Sequence, residues 1–266
     1  MAESKNQSFA ERPVAPLSVL GVSLHDAGVS EIHGYMATVI EQKKKALVLN
    51  VNIHCLCLAQ QHLWLRDFLN QAQFVFCDGD GVRWGLRLLG QPVPPKVTYD
   101  RWIWQLAKWA EMKGYSFFFM GGKPGIAELA AERLKLKFPK LKILGTEQGY
   151  FDKTGPENQR RVDRIKQLRP DILILGFGMP LQEKWLMENA EKLNAHIFLT
   201  GGAVFDYVAG TFKRAHGWMI KMNLEWLFRM FYDPRRLSMR YATEIPYFFY
   251  KVFSERLKRK GVMGRQ

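Results

Sequence analysis

Cysteine is scarce in this chain of 266 residues, which has only Cys55, Cys57 and Cys77. An odd number without a CxxC pair argues against a disulfide framework and against a cysteine zinc site. No secretory leader opens the sequence, so the expectation is a reduced, cytosolic compartment. Long apolar runs are missing too: none approaches the roughly 20 residues needed to span a bilayer. The six histidines show no HxxxH or HExxH spacing, so no metal centre is expected. His54, Cys55 and Cys57 crowd together, but at a strand-to-helix junction. A GxSxG elbow for Ser/His/Asp hydrolysis is absent. No GxGxxG follows the first strand, and MGGKPG lacks the Lys-Ser/Thr of a P-loop.

Acidic residues are outnumbered, giving a formal net charge of +14. The excess is uneven: Lys213 to Gln266 holds 13 Lys/Arg against 4 Asp/Glu, and the preceding 212 residues hold 26 against 21. An acidic partner, whether an anionic membrane surface or a nucleic acid, therefore meets the last fifth of the chain. Hydrophobic residues make up 47% of the sequence, ample for a buried core. Residues 1–16 are polar and expected to be disordered.

Between them, short apolar runs alternate with amphipathic stretches. ALVLNVN, FVFCDG, SFFFMGG, KILGTEQGYF, DILILGFG and HIFLTGG read as strands. The intervening segments read as helices: 57–72, a short one from Gly81, 101–114 ending on Gly114, one with Pro124 in its first turn, 156–168, and one from Pro180. Strands of this kind between helices predict an α/β fold, a Rossmann-like doubly wound, mostly parallel sheet covering 17–212. From 213 to 266 the pattern becomes a basic, amphipathic helical appendage. GWMIKMNLEWLFRMF is apolar nearly all round, and Asp233-Pro234 reads as a cap and first residue of a second helix with Pro246 inside it.

In open parallel sheets ligands bind beyond the carboxyl ends of the strands. There this sequence carries Asn50 and Asn52, Asp78-Gly79, Gly121-Gly122 and Gly201-Gly202. Glycines let backbone approach a ligand, and adjacent helix N-termini accept phosphates; together they favour a phosphate-bearing ligand. In FVFCDGDG, Asp78 and Asp80 can be a metal clamp, a base beside a turn, or a polar loop. A carboxylate closing an apolar strand is partly desolvated, which suits a general base. Asp80, beside Gly81, suits a helix cap.

These stretches also carry a family resemblance. NVN (50–52), CDGDG (77–81), GGKPGIAELAAERL (121–134), GTEQGYF (145–151), GFGMPLQEKW (176–185), TGGAVFDYVAGTFKRAHGWM (200–219) and LEWLFRMFYDPRRL (224–237) occur in the order found in the WecG/TagA/CpsF bacterial glycosyltransferases, glycosyltransferase family 26. The resemblance implies an inverting enzyme, cytoplasmic and peripheral on the inner face of the cell membrane. Its donor would be a UDP-sugar and its acceptor an undecaprenyl-diphosphate-linked saccharide, in surface polysaccharide or teichoic-acid-type biosynthesis. It maps the proposed base onto Asp78, the preceding motif onto Asn50 and Asn52, and the PxQE glutamine onto Gln182. Tyr150 and Asp206 fall near the UDP, and Arg229, Arg236 and Arg240 near the lipid diphosphate. The chain departs from the family pattern at the ADG-like motif, which reads CDG followed by Asp80 in place of a small or apolar residue, and at two further positions. The family's arginine becomes Lys96, which neutralises phosphate without a bidentate fork, and a glycine becomes Tyr99; both put an N-acetylmannosamine donor in question.

On this reading Asp78 takes the proton of the attacking hydroxyl. Asn52, Thr98 and Gln182 orient sugar hydroxyls, and Lys96 with the amides near Gly121 to Gly125 meets the leaving-group charge. No cofactor and no metal are expected. The basic appendage holds anionic lipid, and its apolar helix packs on the domain or on a second copy of the chain. Two other readings stand beside it: a non-catalytic basic module for membrane or nucleic acid, and a metal-dependent transferase using Asp78 and Asp80 together.

Overall fold

The computed structural model describes residues 8–212, 219 and 234–263. The chain enters through an antiparallel hairpin, β1 (Leu17–Val19) and β2 (Val22–Leu24), then α1 (Val29–Glu41). β3 (Ala46–Val51) leads to α2 (Ile53–Gln61) and α3 (Leu63–Gln71). After β4 (Phe74–Cys77) come α4 (Asp80–Leu88) and α5 (Tyr99–Lys113), and after β5 (Ser116–Gly121) comes α6 (Ile126–Lys137). β6 (Lys142–Glu147), α7 (Gly155–Leu168), β7 (Ile172–Gly176), α8 (Leu181–Asn189), β8 (Ile197–Thr200) and α9 (Val204–Ala209) complete the domain. The basic tail forms α10 (Pro234–Met263).

β3 to β8 make one all-parallel sheet in the order β4-β3-β8-β7-β5-β6. Every position of β3, β4, β5, β7 and β8 is buried, as a sheet covered on both faces requires. Successive side chains point to opposite faces. Leu47, Leu49 and Val51 therefore enter one core with Val75 and Leu173. Ala46 and Val48 enter the other with Phe76 and Ile174. The expected doubly wound α/β domain is thus observed. The chain winds outward from β3 to β4 and restarts at β5, so a crevice opens at the strand ends where the winding changes sense. Gly121 is obligatory there: a Cβ on it would lie 2.5 Å from the Gly176 Cα.

Two local expectations are corrected, and the packing of the basic tail is defined. The helix over 57–72 is broken at His62, which is extended (φ −122°, ψ 99°) and joins α2 to α3; the bend lets Cys55, Leu56, Leu65 and Leu69 all reach one core. Pro124 precedes its helix rather than opening it, since α6 starts at Ile126 behind a left-handed Gly125. The basic helix α10 is packed on one face. Phe248 and Val252 join the sheet's core, Glu255 Oε2 accepts the Leu20 amide at 2.8 Å, and Arg259 Nη2 donates to the Ser18 carbonyl at 3.1 Å. Of the apolar stretch 217–231, only Met219 is among the described residues. No helix among the described residues is long and apolar enough to cross a membrane.

Candidate active site

Asp78 stands one residue past β4. Its amide donates to the Val51 carbonyl at 2.8 Å, so the strand's hydrogen bonding continues through it and fixes the carboxylate at the crevice. On its other side an isolated parallel bridge pairs it with Val97, which brings Lys96 and Thr98 to the same place. Asn50, buried on the neighbouring β3, donates from Nδ2 to Asp78 Oδ2 at 2.9 Å. The Thr200 hydroxyl on β8 in turn donates to Asn50 Oδ1 at 3.2 Å. Thr200 thereby sets the Asn50 amide so that its NH₂ faces the carboxylate.

Asp80 is placed differently. It opens α4 behind Gly79, whose φ of 86° is left-handed, and it makes a close ion pair with Lys96 and a 2.8 Å contact with Arg83 Nη1. It is bound to two cations, whereas Asp78 is bound to an amide. Asn52 also has a local task, capping α2 by accepting the Cys55 amide at 3.0 Å.

A cavity of about 310 Å³ opens in front of Asp78. Asn52, Lys96 and Thr98 form its polar side, and Trp84 lines it from α4. Its roof is α10, which contributes Arg240, Tyr241, Ile245 and Phe249. Glu244 joins roof to floor: its Oε1 lies 2.7 Å from His54 Nδ1, and its Oε2 lies 3.4 Å from Arg240 Nε. The side chains of Arg229 and Arg236 lie outside the described residues.

Gln182 does not line this cavity. It is fully buried in the first turn of α8, where its Oε1 accepts the Gly202 amide at 3.1 Å and its Nε2 donates to Glu183 Oε1 at 2.8 Å. Burial pushes the Glu183 carboxyl up to about 7, the Gln182 bond and its own amide offsetting part of the rise. The Tyr99 hydroxyl and the Cys55 thiol are pushed well up, first by burial and then by the charges of Asp78 and Glu183. The sequence reading marked Tyr99 only as a departure from the family pattern and did not single out Glu183 as a site residue, because only the tertiary fold shows that both are buried.

The glycine edge forms a second cluster. The Gly122 amide donates to the Gly176 carbonyl at 3.1 Å and the Gly149 amide to the Gly122 carbonyl at 2.8 Å, so the Gly122 amide is engaged rather than turned to a ligand. Gly201 donates to the Leu175 carbonyl at 2.7 Å. Tyr150 is exposed beside this edge, and Asp206 on α9 accepts the Thr211 amide through its carbonyl at 3.1 Å. Lys153, unmarked by the sequence, sits 3.6 Å from the Phe151 ring centroid, with its ammonium lowered to about 8 by burial and then by Arg161. Gln182, bound to the Gly202 amide, ties α8 to this edge.

A sequence profile of the Glycosyl transferase WecG/TagA/CpsF family matches residues 17–262, nearly the whole chain. The chain belongs to that family. It is a glycosyltransferase, which decides against a purely non-catalytic basic module. Among its relatives are proteins of Staphylococcus aureus, strains NCTC 8325 and COL, each named N-acetylglucosaminyldiphosphoundecaprenol N-acetyl-beta-D-mannosaminyltransferase. Each is 25% identical over 248 residues, spanning 92% of this chain and 95% of the relative. The protein of strain MRSA252 carries the same name, identity and coverage. The glycosyltransferase's two clusters differ in character, with a carboxylate and cations under α10 and close-packed backbone at the ends of β5, β7 and β8.

Proposed function

We propose that this glycosyltransferase moves a sugar from a UDP-sugar to a polyprenyl-diphosphate-linked saccharide, with inversion and with Asp78 as general base. The observation that carries the reading is the orientation of Asp78 at the cavity by the Thr200–Asn50 chain. The acceptor O–H proton passes to the Asp78 carboxylate as the oxygen bonds to the anomeric carbon. The bond from that carbon to the diphosphate breaks, and its electron pair leaves with UDP. Relatives are named for transfer of N-acetylmannosamine to N-acetylglucosaminyldiphosphoundecaprenol, which supports a lipid-diphosphate-linked N-acetylglucosamine acceptor and an N-acetylhexosamine donor sugar for this chain.

Lys96 and Arg240 supply the cations that meet phosphate charge in the cavity, and we assign them that work without a metal. Tyr150, Gly121, Gly122, Gly201, Gly202 and Asp206 form the nucleotide side. Gln182 acts from behind as a buried brace. The enzyme sits on the inner membrane face through α10, whose exposed Met239, Tyr250, Phe253 and Leu257 share one stripe at helical spacing.

The test is transfer from a panel of UDP-sugars to polyprenyl-diphosphate-linked N-acetylglucosamine, with and without EDTA. Asp78→Asn is expected to lower kcat by about 10² to 10⁴, the usual worth of a positioned base. Full activity of Asp78→Asn removes it as base, and loss of activity in EDTA overturns metal independence.

A further inference from the structure

We infer that Glu244 is a positioning residue for the acceptor's diphosphate: it pins the roof helix α10 to α2 and holds the Arg240 guanidinium at the cavity. The inference rests on the reading of this cavity as the transfer site and of Arg240 as a phosphate-binding cation. Glu244 Oε1 lies 2.7 Å from His54 Nδ1, and Glu244 Oε2 lies 3.4 Å from Arg240 Nε. All three residues line the cavity. A carboxylate only accepts, so the His54 Nδ1–H is the donor. The Cys57 thiol, also on α2, donates to the Glu244 carbonyl at 3.6 Å. α2 thus grips Glu244 at both its backbone and its side chain.

Two features set this carboxylate apart from an ordinary helix ion pair. The first is its order along the helix. Arg240 precedes Glu244 by four residues, the less favourable arrangement of opposite charges on a helix face. Glu255 and Arg259, nearer the C-terminus of α10, have the favourable order and a structural task. They bind each other, the Leu20 amide and the Ser18 carbonyl. Helix stability and docking therefore account for the Glu255 pair, but not for the order of the Glu244 pair.

The second feature is its place. A carboxylate side chain still 19% exposed, in a cavity that receives a diphosphate, repels the ligand unless its charge is offset. Arg240 offsets that charge, and the His54 bond fixes where it sits. Arg240 Nε is buried and makes no hydrogen bond among the described residues, so Glu244 holds this side of the guanidinium by charge. An arginine side chain has many rotamers, and ordering it before the ligand arrives removes that cost from binding.

Steady-state kinetics with a short-chain, polyprenyl-diphosphate-linked N-acetylglucosamine separate positioning from plain charge. Glu244→Gln removes one negative charge, keeps an oxygen for His54 and offers Arg240 no charge. If charge alone acted, the cavity would become more cationic and acceptor KM would fall or stay level. Positioning predicts the opposite sign: acceptor KM rises by about tenfold, with donor KM and kcat little changed. Glu244→Asp, which keeps the charge, should recover part of that loss. Acceptor KM at or below the wild-type value in Glu244→Gln overturns the inference. An equal rise in Glu255→Gln, the structural control on the same helix, overturns it too. Arg240→Ala distinguishes this failure from that of the underlying reading. Unchanged acceptor KM in Arg240→Ala strikes the phosphate assignment itself, whereas a rise there with none in Glu244→Gln sinks the inference alone. Should Glu244→Gln not fold, His54→Phe carries the test from α2. It keeps a ring but loses the donor, so acceptor KM should rise likewise, and a wild-type value overturns the inference.

Discussion

Asp78 and Asp80 are two residues apart, yet the backbone separates their chemistry. Asp78 continues a strand whose partners are an amide and a neighbouring strand, while Asp80 starts a helix and is bound to Lys96 and Arg83. Strand-end position made Asp78 legible in the sequence, and the glycine beside Asp80 pointed to the helix start it occupies. Lys96 was legible as a cation but not as the partner of Asp80, because that pairing needs the parallel bridge between Asp78 and Val97. Glu183 gives a stability prediction with a definite sign. Its carboxyl rises in the fold from an ordinary value of 4.5 to about 7, so the folded state binds a proton the unfolded chain has released. That contribution is full below the unfolded value and is lost as pH rises toward 7. Glu183→Gln, which never ionises, should therefore gain stability relative to wild type at pH 8, by up to about 3 kcal/mol. The difference should shrink toward pH 5. Thermal melts of both proteins at the two pH values check it, and a variant less stable at pH 8 than at pH 5 relative to wild type contradicts it.

At the scale of elements, the site depends on how closely α10 meets α4. Gly85 is the reason they meet: a Cβ there would come 2.6 Å from the Phe248 ring. Phe248 has no exposure, and Arg240, Tyr241 and Glu244 hang from the same helix as parts of the cavity roof. Gly85→Ala should therefore loosen α10 while leaving the sheet intact, at a cost of about 1 to 3 kcal/mol, typical of overpacking. Hydrogen exchange over 238–259 should quicken, and transfer activity should fall with it. Unchanged protection of α10 would show that the contact is slack. Sequence periodicity revealed α2 to α8, α10 and the buried strands, whose apolar runs are long, but left α1 and α9 uncalled. It missed the β1–β2 hairpin because three-residue strands carry too little pattern. It also missed the break at His62, since both halves are apolar on the same face. The docking of α10 was out of its reach: Phe248 and Val252 read equally well as membrane contacts until the groove that Gly85 opens is in view.

For the molecule as a whole, α10 has two faces with separate tasks. Phe248 and Val252 turn inward, while Tyr250, Phe253 and Leu257 are each more than half exposed and follow one another at three- and four-residue steps. Lys251, Arg256 and Lys258 flank this stripe. An apolar stripe edged by cations is the composition of a helix lying in a membrane interface, and it runs along the helix that roofs the cavity. On the proposed membrane role of α10, a lipid-linked acceptor reaches the site from that same surface. Each exposed apolar side chain that enters the interface contributes about 1.5 to 3 kcal/mol, and each basic residue near anionic lipid about 1 kcal/mol. Replacing Phe253 and Leu257 together by Asp should thus weaken flotation with phosphatidylglycerol vesicles by on the order of a hundredfold or more. Neither side chain belongs to the core or the cavity, so turnover of a water-soluble, short-chain acceptor should persist while turnover of the vesicle-borne acceptor falls. Binding of the wild type should weaken as salt is raised, since screening acts on the charged part alone. Equal flotation of variant and wild type at every salt concentration would assign the stripe to protein contact instead of lipid.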